Sequence, residues 1–247
     1  MKRIKAIVAY DGSAYSGFQI QKNSRTIQEM IEKALTRMHK GETTKIVSSG
    51  RTDAGVHAKG QVFHFDSPIH MSGESWVRAL NGLLPTNIVI QHVEVVSSDF
   101  HARYDVVGKT YKYFLHQGEL PNPFKHHYST YFPYQLDIEL MRKGAQHFVG
   151  TYDFTSFCSA KTEKDNKVRT ITAVEVDQTD EGFVFTFTGN GFLYNMVRIM
   201  VGTLLNVGSK RLAAEKIPQL IAAKDRKHAN KTAPAQGLYL WEVYYNN

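Results

Sequence analysis

The chain reads as an α+β protein. Three observations predict that class: short runs of strand-forming residues bounded by turn signals, segments of helical period set between those runs, and no repeating unit along the 247 residues. Hairpins interleaved with helices bury their apolar faces by laying the helices on sheet faces.

Taken in order, residues 4–10 (IKAIVAY) form a strand closed by the turn-like DGS. In TIQEMIEKALTRMHKG, Thr26 and Glu29 make a capping-box pair, and Ile27, Met30, Ile31, Ala34, Leu35 and Met38 recur at helical spacing, so a helix begins there and stops at Gly41. Strands are expected at 44–49 and 57–66, a helix at 73–84 stopped by Pro85, and a strand at 88–96. RYDVVGKTYKYFLHQ reads as a long strand with a break near Gly108, and PNPFKHHYSTYFP as an irregular connection. A helix at 136–149 follows, then strands at 168–177 and 183–189 joined by TDEG, helices at 192–207 and 211–223, and a closing strand GLYLWEVYY. The division into two subdomains falls between 100 and 108, and is set at 1–104 and 105–247.

Thirty Lys and Arg against 23 Asp and Glu leave a formal charge of +7, which favours polyanionic partners. The cations gather in KRIK at the start, around His101, Arg103 and Lys109, in KTEKDNKVR at 161–169 and in KDRKHANK at 224–231. A single cysteine, Cys158, excludes an internal disulfide framework and fits a buried structural thiol in a reducing compartment. The apolar stretch after the basic N-terminus ends at Asp11, too early for a signal peptide. The run from Phe192 to Val207 is too short for a membrane span and contains Asn195 and Arg198, so a cytoplasmic protein is expected.

Several motifs are excluded. Gly108-Lys109-Thr110 lacks the glycine five positions earlier that a P-loop needs; Arg103 stands there. The eleven histidines show no metal-ligand spacing, so no metal is expected. EGFVFTFT misses the RNA-recognition strand pattern at most positions, and Phe183, Phe185 and Phe187 read as one core-facing stripe.

From Gly182 to Ser209 the only charged side chain is Arg198, placed mid-helix among Met196, Val197, Ile199, Met200 and Val201. Such an arginine either snorkels its head to solvent from an apolar face or, where a helix apolar on nearly all sides buries it, needs an anionic partner, because an uncompensated buried charge costs several kcal/mol. The candidate is Asp53, in GRTDAGVHAKGQ at 50–61, with Arg51 beside it. A Gly-flanked aspartate is by itself an ordinary turn residue. Beside arginine it stays ionised, suited to act as nucleophile or base.

YDGSAYSGFQ at 10–19, GRTDAGVHAKGQ at 50–61, ALNGLLP at 79–85, FHARY at 100–104, TYKY at 110–113, DFTSF at 153–157, GFLYNMVRIMVG at 191–202 and APAQGLYL at 233–240 together resemble the TruA family of tRNA pseudouridine synthases. The resemblance covers nearly the whole chain, with Phe18 standing where that family usually has Trp, a difference of packing. It implies two RRM-like (ferredoxin-like) halves sharing a continuous antiparallel sheet with the site in the cleft between them, a homodimer, and tRNA as substrate, with uridines at positions 38 to 40 of the anticodon arm as targets. It implies further that Asp53 attacks an extruded uridine at ribose C1′ or at C6, that Tyr111 packs on the base and assists loss of the C5 proton, that Arg198 pairs with Asp53, and that Arg51 holds the extruded nucleotide. Leu238 or Leu240 would wall the base, and His101, Arg103, Lys109, Lys167 and Arg169 are candidates for RNA backbone contacts. No cofactor is implied, since the isomerisation is redox neutral and adds no atoms. Two rivals stand beside this reading: a non-catalytic RNA-binding module on the same scaffold, and a nucleoside or glycoside hydrolase, which would want two carboxylates where the loop offers one.

Overall fold

The computed structural model describes residues 1–160, 162 and 165–246; Lys161 and Lys164 of the expected basic segment lie outside the described residues. In chain order the first elements are β1 (Lys2–Tyr10), α1 (Ile27–Met38), β2 (Val47–Ser48), β3 (His57–Ser67), α2 (Gly73–Asn81), β4 (Ile88–Val96) and β5 (Val106–His116). They are followed by β6 (Thr130–Tyr131), α3 (Ile138–Gln146), β7 (Gly150–Asp153), β8 (Val168–Thr179), β9 (Gly182–Gly189), α4 (Met196–Gly208), α5 (Ile217–Ala222) and β10 (Leu238–Tyr245). The chain divides into two compact units, Met1–Val107 with Tyr239–Asn247, and Gly108–Leu238.

In the first unit the strand order is β4-β1-β3-β10, with β2 beside β3. β1 runs antiparallel to both β3 and β4, and alternates so that Ile4, Ala6, Val8 and Tyr10 are buried while the residues between them are not. β10 joins β3 in parallel through the pairs Tyr239 with His57 and Leu240 with Ala58. Residues 239–247 thus group with the first unit, whereas division by chain order at 104/105 puts them in the second. α1 is capped as expected: the Glu29 N–H donates to Thr26 Oγ1 at 3.4 Å, and the Glu29 carboxylate, held below its usual range chiefly by Lys33, also takes a hydrogen bond from the Thr26 backbone. Ile27, Ile31, Ala34 and Leu35 form the helix's buried stripe.

The second unit has the strand order β5-β9-β8-β7, with β6 parallel to β5. Phe183, Phe185 and Phe187 are all buried, the core-facing stripe expected of β9. α3 packs closely on α4 and α5 at Gly144, where a side chain would come within 3.2 Å of both Leu204 Cδ2 and Ile217 Cδ1. The lone thiol of Cys158 is buried and lies 3.0 Å from Thr162 Oγ1.

Several elements differ from expectation. The strand awaited at 44–49 shrinks to the two residues of β2, and β5 passes through Gly108 without a break. α4 begins at Met196, not at 192, because Asn195 adopts a left-handed conformation with φ 61° and turns the chain just before the first helical residue. Arg198 accordingly sits in the first turn of α4 and not in its middle. β6 and β7 carry no signal in the sequence, being short pieces paired at sheet margins.

Replacing Thr26 by Ala removes the side-chain half of the capping box. It is expected to lower stability by about 1 kcal/mol, read as a shift of the urea midpoint at unchanged slope.

Candidate active site

Residues 49–56, between β2 and β3, have no strand or helix of their own, and the segment 10–18 holds them in place. Phe18 donates its backbone N–H to Thr52 O at 3.0 Å, and Gly55 N–H reaches Tyr15 O at 3.4 Å. Tyr10 and Thr52 share a hydroxyl hydrogen bond of 2.8 Å inside the core, where burial pushes the phenol's pKa well above its ordinary value. Contact is backbone on backbone: a Cβ on Gly17, whose φ is 95°, would lie 2.7 Å from Thr52 O, and one on Gly12 would lie 2.0 Å from Val56 O. Only glycine permits both approaches.

The loop's other flank is tied to β3. Gln61 accepts from Ser49 Oγ at 2.6 Å through Oε1 and donates to Gly50 O at 3.0 Å through Nε2. Asp53 itself closes a turn, its carbonyl taking the Val56 N–H at 3.1 Å, and Gly55 supplies the positive φ of 75° that the turn needs. The result is a half-buried carboxylate on a backbone fixed from both sides, between exposed Arg51 and exposed Ala54.

His57, which the sequence reading passed over, completes the clamp. It is almost wholly buried, accepts the Gly12 N–H through Nδ1 at 3.1 Å, stands 3.2 Å from Asp11 Oδ1 and stacks on Tyr239 with ring centroids 4.5 Å apart. Its signal was present: it closes GRTDAGVH, and the YDG that meets it opens the first motif.

In the second unit Tyr111 lies on β5 opposite Phe187 and meets Phe192 edge to face at 5.1 Å. Tyr113, two residues on and facing the same way, is fully buried, with its hydroxyl 2.6 Å from Thr130 Oγ1 and donating to Pro234 O at 3.0 Å. Burial raises the pKa of its phenol, and the positive charge of Arg198 works against that rise. Arg198 is half-buried; its Nε donates to Ala233 O at 2.7 Å, its Nη1 to Asn195 Oδ1 at 2.9 Å, and its own carbonyl takes the Ala233 N–H at 3.0 Å. Residues 233–234 thus gather Tyr113 and Arg198, with Tyr111 one strand step away.

The candidate RNA contacts divide. In the first unit His101 uses ring Nδ1 to accept the amides of Arg103 and Tyr104, both at 3.2 Å, and stacks on Tyr104 at 4.1 Å, so its ring serves the turn 101–104. Arg103 is exposed, 5.9 Å over the Tyr104 ring. In the second unit Lys109 and Lys167 are half-buried, and Arg169 turns one Nη onto Asn166 O and Val168 O, with burial lowering its pKa. Leu238 and Leu240 are buried, Leu238 closing the second unit and Leu240 within the first. Among the described residues no group of three or more His, Cys, Asp or Glu could hold a metal ion, and no helix is long and apolar enough to cross a membrane.

A family model described as tRNA pseudouridine synthase matches residues 6–105 and 145–246. The chain is 53% identical to tRNA pseudouridine synthase A 1 of Bacillus cereus over 247 residues, covering all of both chains. It is 54% identical over 245 residues to tRNA pseudouridine synthase A of Exiguobacterium sibiricum, covering 99% of this chain and 97% of that one. It is also 48% identical over 246 residues to the protein of the same name in Bacillus subtilis, covering 99% of this chain and all of that one.

Two predictions follow from local geometry. A methyl at Gly17 is expected to strain the loop by roughly 1–3 kcal/mol and lower the unfolding midpoint, which urea titration of Gly17→Ala reads. The second concerns His64 on β3. Burial, aided by Arg3 and His101 and opposed by Asp66 and Asp105, pushes it down to about 4, and its neutral Nδ1 accepts the Ala102 N–H at 3.0 Å. The unfolded state binds the extra proton, so this contribution is complete above about pH 6.5 and is lost as pH falls towards 4. Unfolding midpoints measured from pH 7.5 down to 4.5 should fall less steeply for His64→Gln than for the unaltered chain.

Proposed function

The chain belongs to the tRNA pseudouridine synthase family, and from that premise we propose that it isomerises uridine to pseudouridine in the anticodon arm of tRNA, at positions 38 to 40, with Asp53 as the nucleophile. The observation that carries the reading is the loop at 49–56: an aspartate is presented on a backbone clamped by Phe18, Gly17 and Gly12, in the segment that also bears the most distinctive motif of the resemblance. A carboxylate held in that way is preorganised for attack on a positioned carbon.

The reaction breaks the N1–C1′ glycosidic bond and forms a C5–C1′ bond; C5 gives up its proton and N1 gains one. Asp53 attacks C1′ or C6, holds one fragment while the uracil turns, and leaves as the new bond closes. Tyr111 packs against the base and assists departure of the C5 proton. Arg198 keeps the carboxylate ionised and Arg51 holds the extruded nucleotide, whose removal from a stem costs a few kcal/mol that phosphate and stacking contacts must offset. Leu238 and Leu240 supply the apolar wall, while His101, Arg103, Lys109, Lys167 and Arg169 contact the RNA backbone. The same resemblance supports a cofactor-free reaction by a homodimer.

The test is to incubate the protein with uridine-containing tRNA and map pseudouridine by carbodiimide-dependent primer-extension stops. Stops at 38 to 40 are expected; free uracil would replace the reading by hydrolysis, and bound but unaltered tRNA by a binding module. Asp53→Ala is expected to abolish the stops while tRNA affinity in a filter-binding assay stays within a few-fold, and full activity in that variant would end the assignment. Arg198→Ala needs a thermal melt beside it, because the guanidinium also holds Ala233 O and Asn195.

A further inference from the structure

We propose that residues 224–233 form a strap that contacts the phosphates of bound RNA, with Lys227 and Lys231 as its contacts. The inference rests on the tRNA reading above. The segment carries four cations, Lys224, Arg226, Lys227 and Lys231, against one acid, Asp225.

Two of the four are taken up inside the protein: Lys224 pairs with Asp153 at 3.2 Å, and Arg226 donates to Ala229 O at 3.0 Å and Thr232 Oγ1 at 3.2 Å. The acid is engaged as well, since Asp225 Oδ1 takes the Lys227 N–H at 2.9 Å, Oδ2 faces His228 at 3.9 Å, and the Asp225 N–H donates to Ser156 Oγ at 3.0 Å. Lys227 and Lys231 are exposed, and among the described residues neither has an ion pair.

A polar segment without strand or long helix is ordinarily costly to order. This one is laced to α4. Asn206 Nδ2 donates to Asn230 Oδ1 at 2.9 Å, Asn230 Nδ2 to Thr203 Oγ1 at 3.4 Å, and Ala233 exchanges hydrogen bonds with Arg198. Gly202 lets the strap lie on the helix, because a Cβ there would stand 2.0 Å from Lys231 O. Arg198, Gly202 and Asn206, four residues apart, share one face of α4, so the strap follows that face and the two lysines are mounted at a set offset from the arginine. Compact ammonium charges at a set spacing suit successive phosphates, and the ordering cost is met before RNA arrives.

The experiment measures tRNA affinity of the full chain by filter binding over a range of NaCl concentrations. Lys227→Ala/Lys231→Ala is expected to weaken binding at low salt and to reduce the slope of log affinity against log salt by about 2, one for each lost contact. A pair matched in number and exposure, Lys210→Ala/Lys216→Ala, lies outside the strap and faces Asp137 and Gln219, and should leave that slope unchanged. An unaltered slope in the strap variant, or an equal loss in the matched pair, overturns the proposal. Pseudouridine formation by the unaltered chain is scored separately: tRNA modified with no slope change sinks the strap alone, whereas a reduced slope without any modification sinks the catalytic reading alone.

Discussion

The chemistry proposed for this protein depends on one constraint, the backbone contact between residues 10–18 and the loop 49–56. The loop has no regular hydrogen bonding of its own, and left to itself would sample many conformations at a cost of about 1–2 kcal/mol per residue to fix. The segment before α1 removes that freedom through Phe18 N–H on Thr52 O, the two glycines that let main chain lie on main chain, and His57 gripping Gly12. A side chain at either glycine would push the loop, and with it the carboxylate of Asp53, out of place.

The second unit holds Arg198 by the converse arrangement, with the charged residue on the helix and the irregular backbone as its brace. A short irregular segment is bound to α4 at Arg198, Gly202, Thr203 and Asn206, so that the guanidinium is oriented by Ala233 O and Asn195 from two directions. The first unit thus places its charged side chain on irregular backbone and fixes that backbone against its neighbours, whereas the second places Arg198 in the first turn of a helix and fixes its head with an irregular segment laid on that helix. Such sites permit orientations that helices and strands do not, at the price of needing glycine and polar tethers.

Much of this was legible in the amino-acid sequence. The capping box at Thr26 and Glu29, the strand at 88–96 and the phenylalanine stripe of β9 all follow from local pattern, and the structure bears them out. Sequence reading failed where the cause is not local. α4 starts late because Asn195 is left-handed, and β10 finds a parallel partner in β3, far away in sequence; hydrophobic period encodes neither. At the candidate site, Asp53 and Arg198 stand out by residue chemistry as well as by the family resemblance, and Tyr111 by the resemblance alone. His57 was missed because a lone histidine beside a strand looks like core, and its importance lies in a hydrogen bond to a glycine forty-five residues away.

The central claim is that catalysis requires the Asp53 carboxylate at the position its clamped backbone gives it. The most direct measurement is single-turnover pseudouridine formation by Asp53→Glu, which keeps the charge and moves it by one methylene. A fold that melts like the unaltered chain and a rate lower by about 100-fold or more are the predicted result; an unchanged rate would show that the position of the carboxylate does not matter and would contradict the account.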